Sequence, residues 1–565
     1  MKIIDNRNKH YIYITPIVVF LLGFVLIFLV SILFPGDPIL AYLPEGMIDP
    51  ILYNQMRHEL GYDLPLFAQF FRFLGDFFTG NLGYSLTIQR GIPVFDLLLE
   101  RIPLTIEFTI VPIALGLIAG IFLGVLSIKV RNRLVKLLIQ FLIILGISMP
   151  MFLIGMWFQY TLAYQLELFP ATGNPFLPSC ILFLLTLFLT IRQVRSNYLK
   201  KSEEKHILSN SSHVIFNLSI LFTSVILLES IFNIHGIFEL FIVAIRNIDF
   251  WTFRAIISII IVLLVIILLL SNIGYTIYNN ILEKDQSIMF TNFFGRNEQL
   301  VEEAARYDLN SDQKFKDFTI YRLKSPITII GLAIVVFTII VAIFPQVLTP
   351  MTMEQALASD PGAFFPPSAT HPLGQTSYGL DVLALLAYGV STSIIISFYS
   401  VLIGIVIGSL FGYLCKVHRV VKELVMIFMV ILFVVPCILI ILIQQNMYGY
   451  DTGLTITTMA MYMIPGVTLV ISKGPYSFKL SAKKLITYFP LFMGFNILLL
   501  EALAFLGFSD PFLIHLGNNI SVARTNLYMA PWASFWPGLA LYVLVMGFIS
   551  LHYGLKEPIP IVGRL

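Results

Sequence analysis

Apolar runs of bilayer-spanning length recur along this chain, and they decide what it can fold into. A helix needs ~20 predominantly apolar residues to cross a bilayer. Reading runs of that length gives twelve candidates. In the first half they fall at about 11–34, 103–128, 134–164, 176–194, 213–234 and 252–280. In the second half they fall at about 326–349, 389–415, 420–443, 453–472, 484–508 and 529–553. The run at 134–164 is long enough to be tilted or broken near Pro150. Charged residues make up 12% of the 565, about half the roughly 25% of a soluble domain. Most of the surface therefore faces lipid. The expected fold is an all-α integral membrane protein with about twelve transmembrane helices.

Basic residues orient the spans. With twelve spans, every second connection lies on the same side as the N-terminus, and those connections hold 28 of the 35 lysines and arginines. The opposite side holds Arg57, Arg72, Arg90, Arg101, Arg246, Arg254 and Arg524, and no lysine. The positive-inside rule places both termini in the cytoplasm of a multi-pass plasma-membrane protein. Lys2, Arg7 and Lys9 before the first run imitate a signal peptide. That run exceeds a signal h-region and no small-residue cleavage site follows, so it reads as a retained helix. The net charge of +3 sits in short loops with no basic domain, which argues against nucleic acid as a partner. Cys180, Cys415 and Cys437 fall in or beside apolar runs without metal-ligand spacing.

The chain repeats one plan. Residues 1–283 and 325–565 each begin with a basic segment and one span, continue through an external segment (35–102 and 350–388), and end with five further spans. Residues 284–324 form a polar, cytoplasmic linker. Both repeats start inside, so they are parallel, and a pathway is expected at their interface. Equivalent fifth spans carry an acidic residue in an apolar run, Glu229 and Glu501. A carboxylate at mid-bilayer costs ~2.5–3.5 kcal/mol on insertion scales, so such residues are partnered or functional. They are expected either to cap backbone groups or pair with a residue such as Arg246 or Arg524, or to serve the substrate path or a proton. His235 lies close enough in sequence to titrate with Glu229. In the first external segment, Phe70, Phe71, Phe73, Phe77 and Phe78 place aromatics on several faces of a helix that lies in the interface or packs on the bundle.

Ordered motifs run through both halves. The first contains Gly36-Asp37-Pro38, Leu60-Gly61-Tyr62-Asp63-Leu64-Pro65, Gly80-Asn81-Leu82-Gly83-Tyr84-Ser85, Arg101-Ile102-Pro103 with Thr105, then Gly146, Ser148, Pro150 and Gly155. The second contains His371-Pro372-Leu373-Gly374, Asp381-Val382-Leu383, Glu501-Ala502, Ala530-Pro531-Trp532 and Pro537-Gly538. In this order the set resembles the dipeptide, oligopeptide and nickel family of ABC importer permeases, with two permease subunits fused in one chain. The resemblance implies a type I importer fold and alternating access, with Glu229, Glu501, Ser148 and Pro150 along the pathway. It also implies cytoplasmic ABC ATPases and an external substrate-binding lipoprotein as partners, beside membrane lipids. No G-x-x-x-x-G-K-[ST] phosphate loop occurs. The chain is thus expected to hold no cofactor and no catalytic centre, ATP being used through partner subunits.

Family permeases dock on their ATPases through a loop between the fourth and fifth spans that carries a Glu-Ala-Ala motif. The corresponding stretches here, 191–212 and 471–484, are short and lack it. Arg192, Arg195, Lys200, Lys473 and Lys479 are the basic residues there that would face an ATPase. The truncation keeps open an alternative, a permease-derived scaffold or an uncoupled or proton-coupled carrier.

Overall fold

The structure is a computed structural model, and it describes residues 6–33, 37–39, 43, 49–130, 132–199, 207–284, 323, 325–358, 364–434, 444–445, 447–472 and 478–556. The linker at 285–322 and the basic residues Lys200 and Lys473 lie outside them, as does the side chain of Lys479.

The described part of each of the twelve apolar runs falls largely on a helix. In the first half these are α1 (Asn6–Leu33), α4 (Val94–Lys129), α5 (Arg133–Ser148) with α6 (Met151–Phe158), α7 (Phe176–Leu199), α8 (Ile207–Phe232) and α10 (Phe250–Lys284). The external segment adds α2 (Pro50–Glu59) and α3 (Leu66–Thr79), and α9 (Ile237–Arg246) follows α8. The second half contains α11 (Pro326–Ile343), α12 (Met353–Leu357), α13 (Val382–Val417), α14 (Arg419–Val434), α15 (Thr452–Ser472), α16 (Phe478–Phe505), α17 (Leu516–Arg524) and α18 (Pro531–Lys556). Among the described residues, eight helices are long and apolar enough to cross a membrane, and two bent helix pairs raise this to ten. The chain is an all-α integral membrane protein.

The two bends have local causes. Proline lacks an N–H and clashes with the preceding turn, so it ends a helix. Pro150 caps α6 at the point where α5 has stopped, and the pair turns through 89°. The second bend, 81° between α8 and α9, passes through Asn233 at φ 50°. Several helices start earlier than their apolar runs indicate, α4 and α13 by the most. α4 and α13 each have 36 residues, about 54 Å at 1.5 Å per residue, against a bilayer core of ~30 Å. The surplus in α4 is the charged turn containing Asp96, Glu100 and Arg101, which a hydropathy reading leaves out.

Small residues bring the long helices together. Without a hydrophobic drive between helices in lipid, close backbone approach is the main source of packing energy. Gly116, Gly120 and Gly124 of α4 lie against Thr186, Thr190 and Val194 of α7. Gly404, Gly408 and Gly412 of α13 lie against Met463, Val467 and Ile471 of α15 in the same manner. A Cβ at Gly120 would sit 2.5 Å from Thr190 Cβ, and one at Gly408 2.7 Å from Val467 Cβ.

A main core extends through both halves. Phe152 stacks on Phe505 at 4.8 Å, and Trp157 meets Phe535 at 4.9 Å. Leu153 fills the space left by Gly538. The bend at Pro150 is what carries α6 into this contact. The aromatic helix α3 packs on the bundle through Phe70, Phe73 and Phe77 against Phe24 and Phe28 of α1, leaving Phe67 75% exposed on its other side. The end of the bundle holding α3, α9 and α17 is the one that the lysine and arginine asymmetry of the sequence predicts to be outer, and it is called the outer end.

Candidate functional site

A helix N-terminus leaves its first amides without intrahelical partners, and α9 and α17 begin inside the protein. Their amides meet the two carboxylates noted in the sequence. Glu229, near the end of α8, is 0% exposed. Its Oε2 accepts from the Glu239 N–H at 2.7 Å. Thr105 of α4 donates its hydroxyl to Glu229 Oε1 at 2.5 Å and accepts from the Ile237 N–H at 2.9 Å. Gly236 closes the turn because any side chain there would overlap the Glu229 carboxylate and the Thr105 hydroxyl.

The second half builds the same arrangement from different letters. Glu501, near the end of α16, is also 0% exposed. Ser393 of α13 lies with its hydroxyl 2.6 Å from Glu501 Oε1, and the Gly517 N–H donates to Oε2 at 2.5 Å. Gly517 has no room for a side chain against the Glu501 carbonyl. One difference is His515, buried, with Nδ1 3.8 Å from Glu501 Oε1. In both halves a carboxylate and a hydroxyl from two long helices hold the N-terminus of a short outer helix, where negative charge is favourable.

The short helices end in arginine, and each arginine reaches the opposite half. Arg246 of α9 donates to the Leu506 carbonyl and lies 5.3 Å from the Phe508 ring centre. Arg524 of α17 donates to the Ser230 carbonyl at 3.3 Å and lies 5.5 Å from the Phe505 ring centre. Of the two pairings considered for the glutamates, backbone capping is the one present, and the arginines bond across the halves instead. His235 turns away from Glu229: its Nδ1 lies 3.7 Å from Glu239 Oε2, which Arg101 approaches to 3.6 Å.

The outer loops leading into α4 and α13 are also matched. Gly83 (φ 83°) packs on Trp251 and Gly374 (φ 81°) on Trp532. Trp251 donates its indole N–H to the Pro38 carbonyl, and Trp532 donates to that of Gln375, both at 3.2 Å. Buried Asp249 accepts from the Ser85 hydroxyl and from the Leu86 and Thr87 amides. In the second half the loop is held from within, by Asp381 at the N-cap of α13, with His371 Nδ1 at 2.9 Å and the Ala384 N–H at 2.7 Å.

Of the remaining sequence candidates, Ser148 is fully buried at the break between α5 and α6, and its hydroxyl has no hydrogen-bond partner among the described residues. Pro150 makes that break. Arg192 and Arg195 lie together near the inner end of α7, remote from the glutamates. The crosswise arginines were visible in the sequence only as possible partners of the glutamates. Thr105, Ser393, Gly236 and Gly517 carried no signal for this role, since hydroxyls and glycines are common in membrane helices.

Comparison with known proteins places this arrangement. The family model described as the inner membrane component of binding-protein-dependent transport systems matches residues 116–210, the stretch that holds the α4–α7 packing and the Pro150 break. A dipeptide transport system permease protein of Lactococcus lactis is 30% identical over 244 residues, which cover 79% of that protein and 38% of this chain. A probable D,D-dipeptide transport system permease protein of Escherichia coli is 37% identical over 150 residues, 43% of its length and 26% of this chain. A probable peptide ABC transporter permease protein of Sinorhizobium fredii is 27% identical over 289 residues, 91% of its length and 45% of this chain. With most of one dipeptide permease matched at this identity, the chain belongs to the family of peptide-type ABC transport permeases.

Proposed function

We propose that the chain carries both permease halves of a peptide-type ABC importer, residues 1–283 and 325–565 joined by 284–324, and forms the pathway between them by alternating access. The observation that carries the reading is the duplicated outer constellation: Thr105, Glu229, α9 and Arg246 in one half, and Ser393, Glu501, α17 and Arg524 in the other. A family relative is matched over most of its length by well under half of this chain, which agrees with a second permease unit in the remainder. With α9 and α17 bonded across the halves, the state described is closed at the outer end. Opening toward a binding protein requires the two arginine–carbonyl bonds to part while the glutamates keep each short helix attached to its own half.

The cargo in this reading is a short peptide delivered by an external substrate-binding lipoprotein, and ATP is hydrolysed by cytoplasmic ABC subunits. Both termini are cytoplasmic. The test is uptake of labelled dipeptides into proteoliposomes holding the chain, its co-purified ATPases and the binding protein. Uptake that requires ATP and the binding protein is expected. Uptake that persists without every ATPase overturns the coupled reading.

A second reading has one specific observation in its favour. Only residues 200–206 separate α7 from α8, and only 473–477 separate α15 from α16. Two coupling helices need more chain than this. A permease-derived scaffold or a carrier driven by protons would have no use for them. An intact chain that captures no ATPase would favour this reading, and uptake driven by a pH gradient would single out the carrier.

A further inference from the structure

One of the two bends in the membrane helices puts a short helix across the seam between the halves. α5 runs alongside α7, with Gly146 against Phe188 and Gln140 lining a cleft with Arg195. At Pro150 the chain turns through 89°, so α6 and the π-helical stretch that follows, Gln159–Gln165, lie across the bundle. Met151 to Met156 are all buried. One side of α6 rests on its own half, where Gly155 lies close to Ile231 and Phe232 of α8. The other side enters the second half. There Phe152 stacks on Phe505 of α16, Leu153 sits against Gly538 of α18, and Trp157 meets Phe535. Arg524, one of the two crossing arginines, lies 5.5 Å from the ring centre of the same Phe505. The crossbar therefore adjoins the arginine closure and lies between the halves.

Both ends of α6 are points where the regular helical ladder stops. Pro150 interrupts it on one side, and next to it Ser148 keeps a buried hydroxyl without a partner among the described residues. On the other side the ladder widens into the π-helical stretch, a form that occurs mostly as single turns at functional sites. Hinges are built from such element-terminal residues, which absorb a change of backbone angles while the segment between them turns as one body. The contacts of α6 with the second half are ring on ring and leucine on glycine. Apolar contacts part without leaving a charge or an N–H unpaired in the interior, unlike the glutamate caps. Gly538 supplies the socket: a side chain there would overlap Leu153, so the closed position is fixed by shape. Resting on the permease reading above, we infer that α6 is a hinged crossbar closing the pathway beside the outer arginines, and that Phe152 and Phe505 are the pair that must separate for cargo to pass.

The deciding measurement needs neither peptide nor ATPase, so it holds even if the permease reading fails. In the full chain with its native cysteines replaced, Ser148→Cys puts a thiol at the buried break. Arg246→Gln with Arg524→Gln loosens the outer end. In that background the thiol should react slowly with a small impermeant methanethiosulfonate, and adding Phe152→Ala should speed labelling at least about tenfold. Phe253→Ala removes a ring of the same size from a fully buried place within the first half, where it meets Phe241, and should leave the rate unchanged. Labelling as slow with Phe152→Ala as without it overturns the proposal. An equal rise with Phe253→Ala overturns it too, because any loosened core would then expose the thiol. Should Phe152→Ala fail to fold, Phe152→Leu keeps an apolar side chain, loses the stack and should give a smaller rise that Phe253→Leu does not. In vesicles that take up dipeptide, joining Trp157→Cys to Phe535→Cys with a short reducible thiol crosslinker should stop uptake, and a reductant should restore it. Uptake undiminished by complete crosslinking overturns the crossbar, whereas wild-type vesicles without uptake refute the permease reading and leave the labelling to decide the crossbar.

Discussion

The outer and inner ends of the bundle treat their buried polar groups differently. At the outer end the chain supplies the main partners itself: each glutamate has amide and hydroxyl donors, and each crossing arginine has a carbonyl. At the inner end Arg192 and Arg195 each keep a shielded Nη1 without an acceptor among the described residues. Buried donors are normally paired, and the acidic residues nearest in sequence, Glu203 and Glu204, lie outside the described residues. The outer end is thus tied by bonds within this polypeptide, while among the described residues the two inner arginines have no such tie.

The largest effect should come from removing the carboxylates. Glu229→Ala leaves the Thr105 hydroxyl and an α9 amide without an acceptor in a fully buried place, and Glu501→Ala does the same at Gly517. At ~1–3 kcal/mol for each unpaired group, either change should lower the melting temperature in detergent clearly, and the pair should act additively. The isosteric Gln variants should recover part of the loss. Equal melting of Ala variants and wild type would show that the caps do not hold the outer end.

Gly236→Ala comes next. The added methyl overlaps the Glu229 carboxylate and the Thr105 hydroxyl, and overpacking of this kind costs ~1–3 kcal/mol. A Thr105→Ser second change should not relieve it, because the hydroxyl remains. A stable Gly236→Ala protein with unchanged melting would mean the turn has more room than described.

The crossing arginines should matter less for stability and more for closure. Arg246→Gln and Arg524→Gln each remove one hydrogen bond to a carbonyl, ~0.5–1.5 kcal/mol, and a partly exposed cation–π contact. With the native cysteines replaced, a cysteine at buried Leu506 should react faster with an impermeant maleimide when both arginines are changed. An unaltered labelling rate would detach the arginines from the closure. Their equivalents at the inner end, changed together, should leave this labelling as it is.

Much of this was legible in the sequence, though unevenly. The membrane-helix plan and the break near Pro150 follow from run length and the chemistry of proline, although eight to ten of the twelve expected spans are long and apolar enough among the described residues. The equivalence of Glu229 and Glu501 follows from their place in the repeat. The short helices α9 and α17 were not legible, because about ten residues are too few to span a bilayer and their N-termini lie inside the protein. Nor was the crosswise path of Arg246 and Arg524, since a single sequence does not say which half an arginine reaches. The glycine rows at 116–124 and 404–412 were readable as small-residue stripes but became meaningful only with α7 and α15 seated against them.

The smallest effect belongs to the exposed ion pair of the outer segment, and it sharpens the contrast with the buried caps. His58 Nδ1 lies 2.5 Å from Asp63 Oδ2, with the histidine side chain 80% exposed. Its hydrogen bond lowers the Asp63 pKa from the ordinary 3.8. A lowered carboxylate contributes stability above its unfolded pKa and loses it as the pH falls through the folded one. Asp63→Asn should therefore approach the wild type's melting only as the pH falls well below about 4, and differ at most slightly at neutral pH, because solvent screens the pair. Added salt should erase that difference. A neutral-pH loss as large as that of Glu229→Ala would move the closure from the buried constellation to the surface of the external segment, and the distinction between the two ends of the bundle would no longer rest on the glutamates.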